Sequence, residues 1–483
     1  MKKKLGSAAD GGRACKSVEV PVMGMEQRSP DGKESSKRTR ERRVTTPTIS
    51  LQELRRRIYC KAKSDNAHRF WGLYGHVARM DVLWEAYREA KANGGAHGTD
   101  GQTFDKVEAM GVEGFLLKIR EELLTQSYRP LKPRAMEIPK SDGGTRTLKI
   151  PAIRDRVVQG AVKLILEPIF EADFRESVMG YRPGRNPEEA LERVSKAVMK
   201  YGLKTIVDVD LKSYFDGIRH HRLLGQLARR VSDGKVLWLI KRILKGQGKA
   251  GVSQGSPLSP LLSNVYLMSV DEVFEKAEET TRWNGSPRII YTRYADDIVI
   301  AVGYHPRWPG LAGHVVRRLK EELGKMEVAL NSEKTKVVNL KDGGSFAFMG
   351  FDCRRILTRK GKYCLWKTPR MRKRTLVLQA IRDIIRKARR WTVRELIQKL
   401  NPVIAGWVNY YRIGNASTVF KYIRNHVELR VRRFAMRRRQ RHGFGWKKWS
   451  KRVVYGEWGL FSDYKIRTSY YKPSESEFWP IGA

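Results

Sequence analysis

No apolar run in this 483-residue sequence approaches the roughly 18 residues that a membrane-spanning helix needs, so no helical span is expected. The N-terminus, Met1-Lys2-Lys3-Lys4, has no apolar stretch behind it, which argues against a secretory signal. Cysteine is scarce. Cys15, Cys60, Cys353 and Cys364 include no Cys-x-x-Cys pair and have no histidine cluster nearby, which argues against a structural zinc site. Free thiols in a reducing, cytoplasmic setting are expected instead. No internal repeat is visible, and no low-complexity segment beyond the first 65 residues.

Acidic residues are outnumbered: 51 Asp+Glu stand against 96 Lys+Arg, giving a formal charge of +45 and a pI near 10.3. Such an excess calls for a polyanionic partner. Nucleic acid, bound through its phosphates and therefore salt-sensitively, fits better than an anionic membrane surface. The length leaves room for two to four subdomains with more than one core.

Residues 1–65, rich in Lys, Arg, Ser and Gly, read as a flexible basic arm ending in a short helix from Ser50 to Lys63. Apolar spacing predicts a helix from Phe70 to Lys91, stopped by Asn93-Gly94-Gly95, and another from Gly114 to Leu124. Met136–Pro139 and Thr147–Ile150 read as strands joined by Ser141-Asp142-Gly143-Gly144. Val157–Phe170 and Pro187–Met199 read as helices and Thr205–Leu211 as a strand. Beyond about Trp366 the chain turns helical and very basic: from Lys367 to Ser450 there are 24 Lys/Arg against three acids, Asp383, Glu395 and Glu428.

Chemistry concentrates at Tyr294-Ala295-Asp296-Asp297, set between the β-branched runs Ile289-Ile290-Tyr291 and Ile298-Val299-Ile300-Ala301. This reads as a tight hairpin with two adjacent carboxylates at its tip. Such a pair is electrostatically costly unless a cation neutralises it. Mg²⁺ suits the site, since it takes one or two carboxylates and fills its shell with water and substrate phosphates. The strand Thr205-Ile206-Val207-Asp208-Val209-Asp210 carries two more carboxylates at i and i+2, on one strand face. If strand and hairpin are neighbours, the acids could hold two ions in the arrangement used for in-line phosphoryl transfer. Asp210 is the expected ligand and Asp208 a supporting, charge-paired residue. Asp216, before Gly217-Ile218, is expected to cap a helix.

Asp208 to Asp216, Gln254-Gly255-Ser256-Pro257-Leu258-Ser259-Pro260 and Tyr294-Ala295-Asp296-Asp297 follow the order of the palm motifs of reverse transcriptases. Ile138-Pro139-Lys140…Arg146, Asp155-Arg156-Val157-Val158-Gln159 and Gly180-Tyr181-Arg182-Pro183-Gly184-Arg185 resemble the fingers segments. From about His76 to Trp449 the chain resembles a bacterial group II intron-encoded reverse transcriptase/maturase. That resemblance implies an α+β right-hand polymerase: fingers and palm with an antiparallel palm sheet, then an α-helical thumb/maturase domain. The implied divisions are the arm 1–65, N-terminal extension and fingers 66–200, palm 201–365, thumb/maturase domain X 366–450 and a tail 451–483 of no derived role. The family continues in many members into a zinc-stabilised endonuclease with paired cysteines. No cysteine follows Cys364, so a subtype lacking it is expected.

The resemblance also implies roles. Asp210, Asp296 and Asp297, with the carbonyl of Leu211, would hold two Mg²⁺. Lys140 and Arg146 would clamp the incoming triphosphate, Arg suiting phosphate through its planar fork. Phe215 would lie beneath the sugar and exclude a ribose 2′-hydroxyl. Gln254 and Gly255 would contact nucleotide and template, on a loop before a helix started by Pro257. Lys334, in Asn331-Ser332-Glu333-Lys334-Thr335-Lys336, would protonate the pyrophosphate. Phe348-Met349-Gly350-Phe351 resembles the primer grip, with Gly350 admitting the primer end.

Leu400 to Arg412 resembles the family's thumb. Trp407 and Tyr411, four apart on one helical face, read as core. Arg432, Arg433, Arg437, Arg438, Arg439, Lys447 and Lys448 read as the RNA contacts. The expected partners are group II intron RNA, an RNA template, a DNA primer or target DNA, and dNTPs, with no membrane. The expected activity is RNA-directed DNA synthesis, together with binding of the parental intron RNA to assist splicing and mobility. Two rivals share these motifs: a reverse transcriptase recruited to defence or spacer acquisition, and an RNA-binding splicing cofactor with little polymerase activity.

Overall fold

The computed structural model describes residues 49–139 and 144–467. The first helix, Leu51–Ser64, begins at Ser50, whose hydroxyl accepts the Glu53 N–H at 3.2 Å. Leu54, Ile58, Tyr59 and Ala62 lie on one face and are buried against the long helix Ile153–Asp173. Each large apolar side chain so buried contributes about 1.5–3 kcal/mol. The short helix expected at the end of the basic arm is therefore present and belongs to the folded body, while the flexible arm expected before it lies outside the described residues.

The helix expected from Phe70 to Lys91 is broken into Leu73–Val77 and Met80–Ala92, with Arg79 extended between them. Distant contacts set the late start of the first piece at Leu73. Phe70 forms a parallel bridge with Val231, and the Asp233 carboxylate accepts the Tyr74 N–H at 2.9 Å, capping the short helix from outside.

Helix Ile153–Asp173 is buried almost all round, and its first turn carries Asp155. That carboxylate accepts the Tyr128 hydroxyl at 2.6 Å and the Leu131 N–H at 3.0 Å, tying the chain before the first hairpin to the helix. Burial pushes its pKa from the ordinary 3.8 up to about 6, against the pull of those two donors. The folded protein thus holds a proton up to about 6 that the unfolded chain releases near 3.8. Raising the pH across that interval destabilises the fold, by about 3 kcal/mol when complete at 1.4 kcal/mol per unit. Thermal melting of wild type should therefore worsen from pH 4 to 7 relative to Asp155→Asn, and parallel profiles for the two would disprove the assignment.

Among the described residues, nine strands form three sheets. β1 (Arg134–Pro139) and β2 (Thr145–Ile150) make an antiparallel hairpin. β3 (Thr205–Val209), β4 (Ile289–Tyr294), β5 (Asp297–Val302) and β6 (Lys336–Asn339) form an antiparallel sheet in the order β4-β5-β3-β6. β7 (Ser345–Phe348), β8 (Phe351–Leu357) and β9 (Tyr363–Pro369) form a third sheet, also antiparallel. β9 runs through the division expected at 365/366, and the first C-terminal helix starts only at Met371.

The four-stranded sheet separates two cores. Val207, Val209, Ile298, Ile300 and Val302 face one core, shared with Ile153–Asp173 and with helix Ser259–Thr280. Ile206, Val299, Ala301 and Ile290 face the other, shared with helix Pro187–Met199, the third sheet and the C-terminal helices. Alternate residues thus enter opposite cores, and the strands read as unbroken apolar runs because both faces are covered.

Three helices follow, Met371–Lys387, Val393–Tyr411 and Ser417–Arg437. The second opens with a capping box between Thr392 and Glu395. On it Tyr411 is buried and Trp407 half-buried, their rings 4.5 Å apart, so the pair packs as expected. The chain after 451 then returns across these helices. Asn401 pairs with the backbone of Gly459 and Phe461, Arg412 binds Asp463 at 3.0 Å, and Trp458 packs edge-on against Trp449. The described part of the tail clasps the helical domain.

Candidate active site

β4 and β5 pair with Tyr294 opposite Asp297, so the connecting turn is Ala295-Asp296. Ala295 takes φ 58°, the left-handed region that a two-residue hairpin turn demands. β3 lies against β5 with Val209 opposite Ile298 and Asp208 opposite Val299. Continued one residue past the end of β3, that register would set Asp210 opposite Asp297, and the charge of Asp210 acts on Asp297. Asp208, Asp210 and Asp297 consequently share one face at the end of the sheet. β3 itself stops at Val209, two residues before the expected Leu211, which instead bridges Leu330.

Asp210 is tightly held. Asn331 Nδ2 donates to its Oδ2 at 3.0 Å, its backbone N–H donates to Thr335 Oγ1 at 3.3 Å, and the Asn331 N–H donates to its carbonyl at 2.8 Å. The motif predicted for Lys334 therefore orients Asp210 through Asn331 and Thr335. Neither was assigned a role from sequence, and only their position within the motif could have signalled one. Lys334 is exposed on the same loop.

Asp208 accepts the Ala347 N–H at 3.3 Å from β7. Burial lifts its pKa to about 6, and the charge of Asp210 adds to the effect. Asp297 is open to solvent at its edge, yet its carboxyl sits among packed protein atoms and takes a hydrogen bond from the Met349 backbone. Burial, then Asp296, Asp208 and Asp210, raise it to about 6. Each carboxylate makes its neighbours harder to ionise, the condition that a bound cation relieves. Among the described residues no three His, Cys, Asp or Glu side chains close into a ready-made cage.

Phe215 lies in the short helix Tyr214–Gly217, which follows Ser213 at φ 46°. Asp216 sits inside that helix rather than at its cap, so the capping role expected for it is corrected. The Phe215 ring is half-buried and meets Tyr214 edge-on at 5.5 Å, while its carbonyl accepts the Val252 N–H. The backbone bond and the ring contact hold Phe215 in place. Phe215→Val should raise ribonucleotide incorporation relative to deoxyribonucleotide by at least about tenfold, since a steric block is worth 1.4 kcal/mol or more. Single-nucleotide insertion kinetics would check this, and an unchanged ratio would remove the gate role.

Gln254 and Gly255 lie against the β2 end of the first hairpin: the Lys149 N–H donates to the Gln254 carbonyl at 3.2 Å. Gly255 has φ 114°, and a Cβ there would come within 3.3 Å of the Lys149 carbonyl. The helix that Pro257 was expected to start begins at Ser259, with Pro260 in its first turn. Ser256 instead bonds Gln159 at 2.7 Å. Lys140 lies outside the described residues, and of Arg146 only the backbone, paired with Ile138, is described.

Phe348 and Phe351 flank a two-residue turn in which Met349 (φ 50°) and Gly350 (φ 78°) are both left-handed. Both rings are fully buried, which corrects their expected place at the primer. They pack the junction with helix Val393–Tyr411, where Phe351 meets Tyr411 at 5.0 Å and the Tyr410 hydroxyl bonds the Met349 carbonyl at 2.9 Å. A Cβ on Gly350 would lie 2.8 Å from the Tyr411 hydroxyl, so glycine serves the turn and this close approach together.

The basic C-terminal residues divide. Arg433, Arg437, Arg438, Arg439, Lys447 and Lys448 are exposed. Arg432 is 1% exposed and points inward: its Nε donates to Glu428 at 2.9 Å, its Nη1 donates to the Trp449 carbonyl at 2.6 Å, and its guanidinium lies 4.2 Å from the Trp446 ring. The RNA contact expected there is corrected. No helix among the described residues is long and apolar enough to cross a membrane.

Residues 138–359 match the family described as reverse transcriptase (RNA-dependent DNA polymerase), and residues 375–455 match the group II intron maturase-specific domain. The chain is 32% identical to protein YkfC of Escherichia coli strain K12 over 356 residues, which is 65% of this chain and 90% of that protein. It is 32% identical over 236 residues to the group II intron-encoded protein LtrA of Lactococcus lactis, but that match spans 47% of this chain and only 38% of LtrA. A shorter segment of 99 residues is 34% identical to nuclear intron maturase 1 of Arabidopsis thaliana. The chain belongs to the group II intron reverse transcriptase/maturase family, with Asp208, Asp210, Asp296 and Asp297 inside the polymerase segment and the C-terminal helices inside the maturase-specific one.

Proposed function

We propose that this protein copies intron RNA into DNA at the site formed by Asp210, Asp296 and Asp297, and binds its parental intron RNA to assist splicing and mobility. The observation that carries this reading is the β3–β5 register, which draws carboxylates 87 residues apart in sequence to one sheet end, followed on the same chain by the maturase-specific segment. A pair of magnesium ions, when bound there, supplies charge neutralisation at the transferred phosphate.

The chain's own residues position the reactants. Asn331 and Thr335 hold Asp210, the hairpin turn presents Asp296 and Asp297, and the Leu211 carbonyl adds an oxygen ligand. Lys140 and Arg146 clamp the triphosphate of an incoming dNTP, while Phe215 underlies its sugar. Gln254 and Gly255, seated against β2, face nucleotide and template. Lys334 protonates the departing pyrophosphate. Met349 and Gly350 offer turn backbone to the primer end. The exposed Arg433, Arg437, Arg438, Arg439, Lys447 and Lys448 meet RNA phosphates. The setting is the cytoplasm, with target DNA as the second polyanion.

RNA recognition is tested by filter binding to the intron RNA flanking the reading frame and to an unrelated RNA of equal length. The cognate RNA should bind at least tenfold more tightly, and affinity should fall by about 10³-fold or more between 50 and 200 mM salt if six or more phosphates are contacted. Equal affinity for both RNAs would overturn the maturase part of the proposal.

A further inference from the structure

Behind the catalytic turn lies a buried polar cluster that the reaction does not use. Arg293, on β4 two residues before Ala295, is fully buried, as are Asn264 and Asp271 on helix Ser259–Thr280. The Arg293 guanidinium donates to both Asp271 oxygens, at 2.8 and 2.6 Å, and its Nη1 donates to Asn264 Oδ1 at 2.9 Å and to the Ala295 carbonyl at 3.1 Å. Asn264 Nδ2 in turn donates to the Gly180 carbonyl at 2.7 Å, and the Tyr291 hydroxyl donates to Asp271 at 2.8 Å. Ser177 and Met179 exchange backbone hydrogen bonds with Arg293, laying residues 177–180 along β4. A Cβ built on Gly180 would lie 2.3 Å from the Ala295 nitrogen and 2.9 Å from the Tyr294 carbonyl carbon. The catalytic turn is thus gripped from below by one guanidinium and one glycine.

We propose that Arg293, Asn264, Asp271 and Gly180 act as a positioning unit that fixes the Ala295-Asp296 turn, and with it the two carboxylates that hold metal. The inference rests on the reading of Asp296 and Asp297 given above. A buried ion pair is a poor stabiliser, because desolvation consumes most of its attraction. Its place directly under the turn therefore points to geometry. Asp271 cancels the charge of Arg293, so the unit leaves the field at the carboxylates nearly unchanged while holding Ala295 at φ 58° through its own carbonyl. Only a planar fork can serve Asp271, Asn264 and Ala295 at once, and lysine cannot replace it.

The test compares the full chain with Arg293→Lys and Gly180→Ala. Circular dichroism fixes the folded fraction, primer extension gives kcat and KM for dTTP, and calorimetry measures Mn²⁺ binding without substrate. In both variants kcat should fall by about 10²-fold, the usual consequence of a displacement near 1 Å, with KM little changed. Mn²⁺ affinity should weaken by about tenfold, as when the partners of metal ligands are removed. Wild-type kcat and Mn²⁺ affinity in folded Gly180→Ala would overturn the proposal, as would losses that only track the folded fraction. If Arg293→Lys fails to fold, Gly180→Ala decides alone, since it leaves the ion pair intact. A wild-type chain no more active than Asp296→Asn would instead bring down the polymerase reading, and the Mn²⁺ titration would still judge the turn.

Discussion

Replacing Asp296 by Asn should reduce primer extension on a poly(rA)/oligo(dT) template by about 10³-fold under the function proposed above, in which losing a metal ligand removes several kcal/mol of charge stabilisation. The same change should leave the fold at least as stable as wild type. Asp297 is pushed up to about 6 by burial and then by the charge of Asp296, so the native state bears a repulsion that the amide relieves. Asn keeps the size of Asp at the tip of the β4–β5 turn, and no core residue moves. Catalytic carboxylates assembled for a cation cost stability without it, so activity and stability should shift in opposite directions. Melting in metal-free buffer beside the extension assay reads both. Extension by Asp296→Asn within tenfold of wild type would remove this carboxylate from the site, and a marked drop in melting temperature would show a structural role instead.

Arg432→Met should destabilise the helical domain by about 3–5 kcal/mol, the range for stripping one partner from a buried ion pair. Glu428, only 6% exposed, would keep the Tyr455 hydroxyl at 2.8 Å but lose its cation, and the Trp449 carbonyl would lose its donor. Methionine fills the space without the charge, so the loss reports the ionic network and not a cavity. Arg437→Met, on the exposed end of the same helix, should change stability by no more than about 0.5 kcal/mol while weakening RNA binding. Hydrogen exchange of residues 417–437 and filter binding would separate the two arginines. Native-like protection with lost RNA affinity in Arg432→Met would restore the RNA contact that its burial denies.

The contrast between these arginines marks where sequence reading stops. Arg432 and Arg433 are adjacent, and nothing local distinguishes them. On a helix, adjacent residues lie about 100° apart, so one turns toward Glu428 and Trp449 while the other stays in solvent. Which one turns in depends on the chain from 444 to 458 folding back onto the helix. Arg293 is similar. From sequence it is a charge in an apolar strand, and its purpose emerges only when helix Ser259–Thr280 brings Asp271 and Asn264 beneath it.

What the sequence determined by itself was everything written in short-range patterns. The acidic turn was legible because two β-branched runs flank it. Helix Pro187–Met199 was legible with the bounds it has, and the acidic hairpin from the short turn between its strands. Tertiary structure alone decided the start of the short helix at Leu73, set by Phe70 and Tyr74 bonding to residues near 231–233. It also decided the inward turn of Phe348 and Phe351 and the seating of Asp210 between Asn331 and Thr335. Hydrophobic period and turn chemistry act within a few residues, whereas these outcomes depend on partners tens to more than a hundred positions away, whose approach no local pattern records.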